Sequence, residues 1–212
     1  MRAAYYFDIT VQRELALRGP SGTAISVMAK GLTALHGIGL NRSIEFASAY
    51  PLMKSEELPH PGAVLRVFVS AREDAEAFAD QLESNVLLMG YLHLGRVKAA
   101  PVFTETTVEY RLFKVPSLRS YGKARPGAWS TESRATPGQR RLEMIRRGDS
   151  MPYLMVSSSS NQHAFSIRIE RTVGTEVIST DFKPNSYGLG SRTNRILLPN
   201  ILEDRARDYS QE

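Results

Sequence analysis

The chain opens on strict alternation. Tyr5, Phe7, Ile9 and Val11 are apolar or aromatic and are interleaved with Tyr6, Asp8 and Thr10, the period-two pattern of a half-buried strand. The period then changes. Ile25, Met28, Leu32 and Leu35 fall on one face of a helix from about Thr23 to His36, and Gly37 reads as a C-terminal stop. Ser43 to Tyr50 returns as a strand, and Pro51 to Pro61 is a proline-rich loop. A second round opens with the β-branched run Ala63 to Val69. Ser70-Ala-Arg-Glu73 follows as a capping box, and Ala71, Ala75, Phe78 and Leu82 carry a helix to about Asn85, before a strand from Tyr91 to Phe103. The order β-α-β-β-α-β predicts an α+β fold whose first half, residues 1–105, is a ferredoxin-like domain with both helices on one face of an antiparallel sheet.

The second half, residues 106–212, is less regular. Val108 to Val115 reads as a strand, and Pro116 to Pro137, rich in Gly, Pro and Ser and holding Trp129, reads as a loop. Thr136 to Arg147 is expected to form a short helix that leans on the protein through Leu142 and Ile145 and turns Arg140, Arg141, Arg146 and Arg147 outward. Strands near Tyr153 to Val156 and Ala164 to Thr172 follow, and Glu203 to Glu212 reads as a fraying tail.

Charge sharpens this division. The chain of 212 residues has net charge +5, with 27 Lys and Arg against 22 Asp and Glu. Between Ser117 and Ser150 there are eight bases, including Arg119, Lys123 and Arg125, against three acids. That one block carries +5, and the remaining 19 bases and 19 acids cancel. Such a concentration is the footprint of a polyanion partner, since phosphate contacts release condensed counterions, although a solvated linker has the same composition. No cysteine is present, which excludes disulfides, thiolate metal sites and cysteine nucleophiles and fits a cytoplasmic protein. No apolar run approaches the roughly 18 residues of a membrane span, and no signal-peptide pattern opens the chain.

Candidate chemistry is therefore confined to oxygen and nitrogen groups. The four histidines show no metal-ligand spacing, so neither a metal nor another cofactor is expected. His60 lies between prolines, His93 falls in a strand pattern, and His163 follows a serine run. His36, in the last turn of the first helix, is the strongest candidate for a base titrating near neutrality, one able to take a proton from a ribose 2′-hydroxyl. The run Ser157 to Ser160 feeds Phe165-Ser-Ile-Arg-Ile169, and Ser186-Tyr-Gly-Leu189 is a turn able to present the Tyr187 phenol. Alone, a serine run is usually a loop and a tyrosine beside glycine an edge aromatic.

Taken in order, these pieces resemble a family. A ferredoxin-like first half, Leu35-His36-Gly37, the arginine-rich segment Arg140 to Arg147, the serine loop entering Phe165-Ser-Ile-Arg-Ile169, and Ser186-Tyr-Gly-Leu189 together look like the subtype I-F CRISPR repeat endoribonucleases, the Csy-type nucleases of the RAMP superfamily. The resemblance covers nearly the whole chain to about Leu198. It implies a metal-independent cut of precursor CRISPR RNA at the base of the repeat hairpin. In it His36 is the general base, Tyr187 orients that base, and Ser158, or Ser157 if Ala164 is an insertion, fixes the 2′-hydroxyl; Phe165 lies near the RNA. It also implies that the product is retained within a type I-F surveillance complex, against the backbone subunit. Where the family reads bases with an arginine and a glutamine, this chain has Lys114 and Pro116. Lysine lacks the bidentate fork and proline has no donor; Arg119, Lys123 and Arg125 are then expected to share hairpin binding. The alternatives are a non-catalytic guide-RNA subunit on the same scaffold and an unrelated basic ferredoxin-like RNA binder.

Overall fold

The computed structural model describes residues 1–18, 22–54, 59–115, 137–157 and 163–201. Arg119, Lys123, Arg125 and Ser158 lie outside the described residues, as does Trp129. The first half runs β1 (Tyr5–Val11), α1 (Arg13–Arg18), α2 (Thr23–Arg42), β2 (Ala47–Ala49), β3 (Val64–Val69), α3 (Arg72–Glu83), α4 (Val86–Met89), β4 (Leu92–Leu94) and β5 (Lys98–Ala99). Its sheet has the order β2-β3-β1-β4, with β5 also on β1, and every pairing is antiparallel. This is two interlocked βαβ units, the arrangement the element order predicts.

Three local expectations give way to tertiary packing. Helix α2 does not stop at Gly37: it continues to Arg42, and Ser43, at φ 56, ends it instead. The extension places the buried Gly39 against Phe46 and Ile44, so packing outweighs the poor helix propensity of glycine. His36 therefore stands inside the helix rather than at its negative end. The Ser70–Glu73 capping box is absent. Ala71 is the N-cap, without a side-chain cap, and the Ser70 hydroxyl instead accepts the Arg2 backbone N–H at 3.2 Å. The single strand expected over Tyr91 to Phe103 is two short pieces, β4 and β5, both paired with β1.

The second half adds β6 (Thr107–Phe113), α5 (Pro137–Asp149), β7 (Tyr153–Ser157), β8 (Ala164–Gly174) and β9 (Leu197–Pro199), with the antiparallel sheet order β7-β8-β6-β9. Helix α5 is rotated from expectation: Ile145 is partly covered and Arg146 and Arg147 are exposed as expected, but Leu142 and Arg141 have exchanged sides. Leu142 is 55% exposed, whereas Arg141, Met144 and Ile145 are partly covered and Gly148 is buried. Gly148 lets the helix approach Phe113 and Val115 closely, and the Arg168 Nε–H donates to its carbonyl at 2.8 Å.

One hydrophobic core runs through both sheets, from Phe7, Ile9, Met28, Leu32 and Leu35 to Leu154, Val156, Ile167 and Ile169. Helix α2 makes this possible by lying against β1 and β3 on one side and alongside β7 on the other. A buried ion pair adds to the joint: Arg66 holds Asp8 through two bonds at 2.7 and 2.8 Å and donates to the Ile201 carbonyl at 2.7 Å. Among the described residues, no helix is long and apolar enough to cross a membrane.

Candidate active site

The site lies where α2 meets the segment 183–190. Asn185 organises that segment, its side-chain oxygen accepting the backbone N–H groups of Tyr187 at 2.9 Å and Leu189 at 3.1 Å, an Asx turn. Gly188 has φ +77, and a Cβ there would lie 2.6 Å from the Ser48 nitrogen and 2.8 Å from the Phe46 ring. Only glycine fits both the left-handed backbone and the close approach. The segment is sewn to both sheets. Ser48 of β2 donates its N–H to the Gly188 carbonyl at 2.8 Å and its hydroxyl to the Tyr187 carbonyl at 2.9 Å. On the other side, Gly190 and β6 exchange bonds of 3.0 Å with Tyr110 and Leu112.

This frame brings three of the candidates together. The His36 and Tyr187 rings stack at 4.4 Å between centroids, 15° apart, and Phe165 meets Tyr187 edge-on at 6.0 Å. His36 Nδ1 lies 2.8 Å from the Ser186 carbonyl oxygen. A carbonyl can only accept, so Nδ1 carries the proton and the neutral imidazole keeps its lone pair on Nε2. The ring is thus fixed by a stack on one face and a bond at one nitrogen, and the remaining nitrogen is the basic one. Burial pushes the Tyr187 phenol above its ordinary range, so it stays protonated wherever an imidazole titrates.

Ser157 is exposed at the end of β7 and pairs with Ala164, while Phe165 pairs with Val156. The serine therefore stands at the rim of the strand pair that carries Phe165. Lys114 is exposed just past β6, in a cleft of about 320 Å³ shared with Arg111, Met144 and Arg192. Arg146 is exposed on α5. Arg147 is engaged by the protein itself: it pairs with Glu170 and lies over the Phe113 ring at 5.4 Å. Arg111 holds the same carboxylate through its Nε at 2.9 Å. The outward array of four guanidinium groups is therefore corrected, because Arg141 is partly covered and Arg147 is committed to Glu170. Arg140 lies on the described backbone of α5, but its side chain is outside the described residues.

Asn185, Ser48 and Arg192 escaped the reading of the sequence. Asn185 was the detectable one, since Asn followed three residues later by Gly is a turn signature. The role of Ser48 arises only from long-range contact, and Arg192 enters only as a wall of the cleft that holds Lys114.

An imidazole with a fixed tautomer, backed by two aromatic rings and held against both antiparallel sheets, with cationic side chains along the second, defines the candidate site of this α+β protein. The chain belongs to the family described as CRISPR-associated protein (Cas_Csy4), whose model matches residues 6–196. It is thus a CRISPR-associated protein of precursor CRISPR RNA processing, with CRISPR RNA as its ligand class. A comparison with curated proteins finds no match.

Proposed function

We propose that the chain is a metal-independent endoribonuclease that cuts precursor CRISPR RNA at the base of the repeat hairpin. The observation that carries the reading is the His36 ring, with Nδ1–H held by Ser186 and Nε2 left as the base. Nε2 takes the proton of the ribose 2′-hydroxyl, the 2′-oxygen forms a bond to the adjacent phosphorus, and the bond from phosphorus to the 5′-oxygen breaks. The leaving oxygen takes up a proton, giving a 2′,3′-cyclic phosphate and a 5′-hydroxyl. A positioned base of this kind supplies about 10² to 10⁴ in rate. Tyr187 acts as a positioning residue through its stack on His36, Phe165 offers a ring to a base beside the cut, and Ser158 or Ser157 holds the 2′-oxygen. Lys114, Arg146 and the basic block from Arg119 to Arg141 bind the stem, chiefly at its phosphates. After the cut the protein stays on the guide RNA in a type I-F surveillance complex, beside the backbone subunit, in the cytoplasm.

The test is a labelled repeat transcript. Cleavage should proceed in EDTA and stop when the 2′-hydroxyl beside the cut is replaced by hydrogen. His36→Ala should lose cleavage while binding the hairpin within a few fold of the unmodified protein. A strict need for a divalent ion would overturn the chemistry, and binding without any cleavage would favour a guide-RNA subunit instead.

A further inference from the structure

A groove of about 390 Å³ begins at His36 and is lined by Leu40, Ser43, Phe46, Lys183 and Ser186, among others, but by neither Tyr187 nor Phe165. Its size falls in the range of small-ligand sites, roughly 300 to 1,000 Å³. His36, Gly39, Leu40 and Ser43 follow at spacings of three, four and seven along α2, so they form one stripe. The groove therefore leads away from the imidazole for roughly 10 Å along the helix. Its helix wall presents one apolar side chain between His36 and Ser43: Leu40 is 61% exposed. The opposite wall carries the exposed Lys183. Glu45 also borders the groove, beyond Ser43 in sequence, and its carboxylate is 4.0 Å from the Met1 amino group.

From this arrangement we infer that the groove binds the nucleotide immediately 3′ of the cleaved phosphate, the leaving side of the reaction. The inference rests on the nuclease reading above. RNA continues in two directions from the phosphate attacked beside His36. The aromatic pair Tyr187 and Phe165 lies in one direction, and the groove, which neither ring lines, opens at the same imidazole. A nucleotide matches its chemistry, since a base packs on the Leu40 side chain and the next phosphate faces the Lys183 ammonium. Because the retained product ends at the cyclic phosphate, the groove empties after each cut and contributes to cleavage without contributing to product affinity.

The experiment compares two repeat hairpins that differ only in the residue 3′ of the cut, a complete nucleotide or an abasic ribose. In single-turnover cleavage the abasic substrate should react about tenfold more slowly, in keeping with what packing one base contributes to single-strand binding. Leu40→Glu should bring the complete substrate down to the abasic rate and leave affinity for the product hairpin within about twofold. A second readout needs no cleavage: 2-aminopurine at that position in a 2′-deoxy hairpin should show raised fluorescence anisotropy on the unmodified protein and low anisotropy on Leu40→Glu. Equal rates for the two substrates together with low anisotropy on the unmodified protein overturn the groove alone. Absence of cleavage for both substrates overturns the nuclease reading, and the leaving-side assignment with it.

Discussion

Replacing Gly37 by alanine separates two accounts of α2 by the sign of the effect. If Gly37 were the left-handed residue that ends the helix, a Cβ would cost about 1 to 2 kcal/mol. In the structure the helix runs on to Arg42, Gly37 is absent from the positive-φ residues, and a Cβ at this position meets nothing within 4 Å. Alanine then gains the full difference in helix propensity, about 0.8 to 1.0 kcal/mol, because the unfolded chain loses freedom while the folded one loses nothing. The two accounts differ by about 2 to 3 kcal/mol. For a domain of this size the expected gain raises the midpoint of thermal unfolding by about 2 to 4 °C. Urea unfolding should show a higher midpoint at an unchanged slope, with hairpin cleavage unaltered. A lowered midpoint at unchanged slope would refute the continuous helix, and with it the placement of His36 away from the helix end.

Gly188→Ala should act in the opposite direction. It combines left-handed strain with a clash at Ser48 and Phe46, so the protein should lose about 2 to 5 kcal/mol of stability, and cleavage should fall even where the fold persists; a stable, fully active variant would show that the turn does not position His36. Arg146→Ala should weaken hairpin binding and lower the slope of log K against log salt by about 0.7 to 0.9 at constant thermal stability, whereas Arg147→Ala should also lower the unfolding midpoint by leaving Glu170 with one fewer cation. Equal thermal effects of the two would contradict the pairing with Glu170. His60 gives a pH test. Burial, then the neighbouring Lys54 charge, lower its pKa, and its Nδ1 accepts the Gly62 N–H at 2.9 Å. Its contribution is thus complete above the unfolded value of about 6.5 and lost as pH falls through the lower folded value. His60→Asn should flatten the decline of the unfolding midpoint on acidification below about pH 6.5, and an unchanged decline would remove His60 from it. Tyr187 should add no ionisation to the pH dependence of cleavage near neutrality, because burial raises that phenol; a neutral-pH limb removed by Tyr187→Phe would contradict this.

The first half was legible because its signals are local. The alternation of β1 buries Phe7, Ile9 and Val11 on one face, and the stripe of α2 buries Met28, Leu32 and Leu35. Period therefore matched environment, and the strand order followed from the element order. The errors occurred where distant packing overrode a local rule. Gly37 looks like a stop until Phe46 is seen against the next turn of the helix. Leu142 looks like a core residue until Gly148 is seen to admit Phe113 and Val115, which turns the face 141, 144, 145 and 148 inward. The short elements α1, α4 and β9 carry too few residues for either period to register. At the site, His36 and Tyr187 are 151 positions apart and neither announces the other. What joined them was the order of weak motifs along the whole chain, not any one of them.

The placement of the site explains why those motifs are scattered. His36 comes from a helix packed on the first sheet, Phe165 from a strand of the second, and Tyr187 from the segment bonded to Ser48 of β2 and to Tyr110 and Leu112 of β6. We place the boundary between the two halves at residues 105/106, between β5 and β6, so the imidazole and the aromatic pair stand on opposite sides of it. Their contact is then only as good as the joint between the sheets. That joint is built from buried side chains of both halves, Leu35 on α2 and Leu154 and Val156 on β7, and from the Arg66 bonds to Asp8 and to the Ile201 carbonyl. Helix α5 and the cleft holding Lys114 belong to the second half alone. In the proposed complex a hairpin held by the basic side chains is thereby registered against Phe165 and Tyr187, and through the stacked rings against His36. Under the proposed function, binding by one half and proton transfer by the other are coupled by a packed core rather than by a flexible link, which a cut at one fixed phosphate would require.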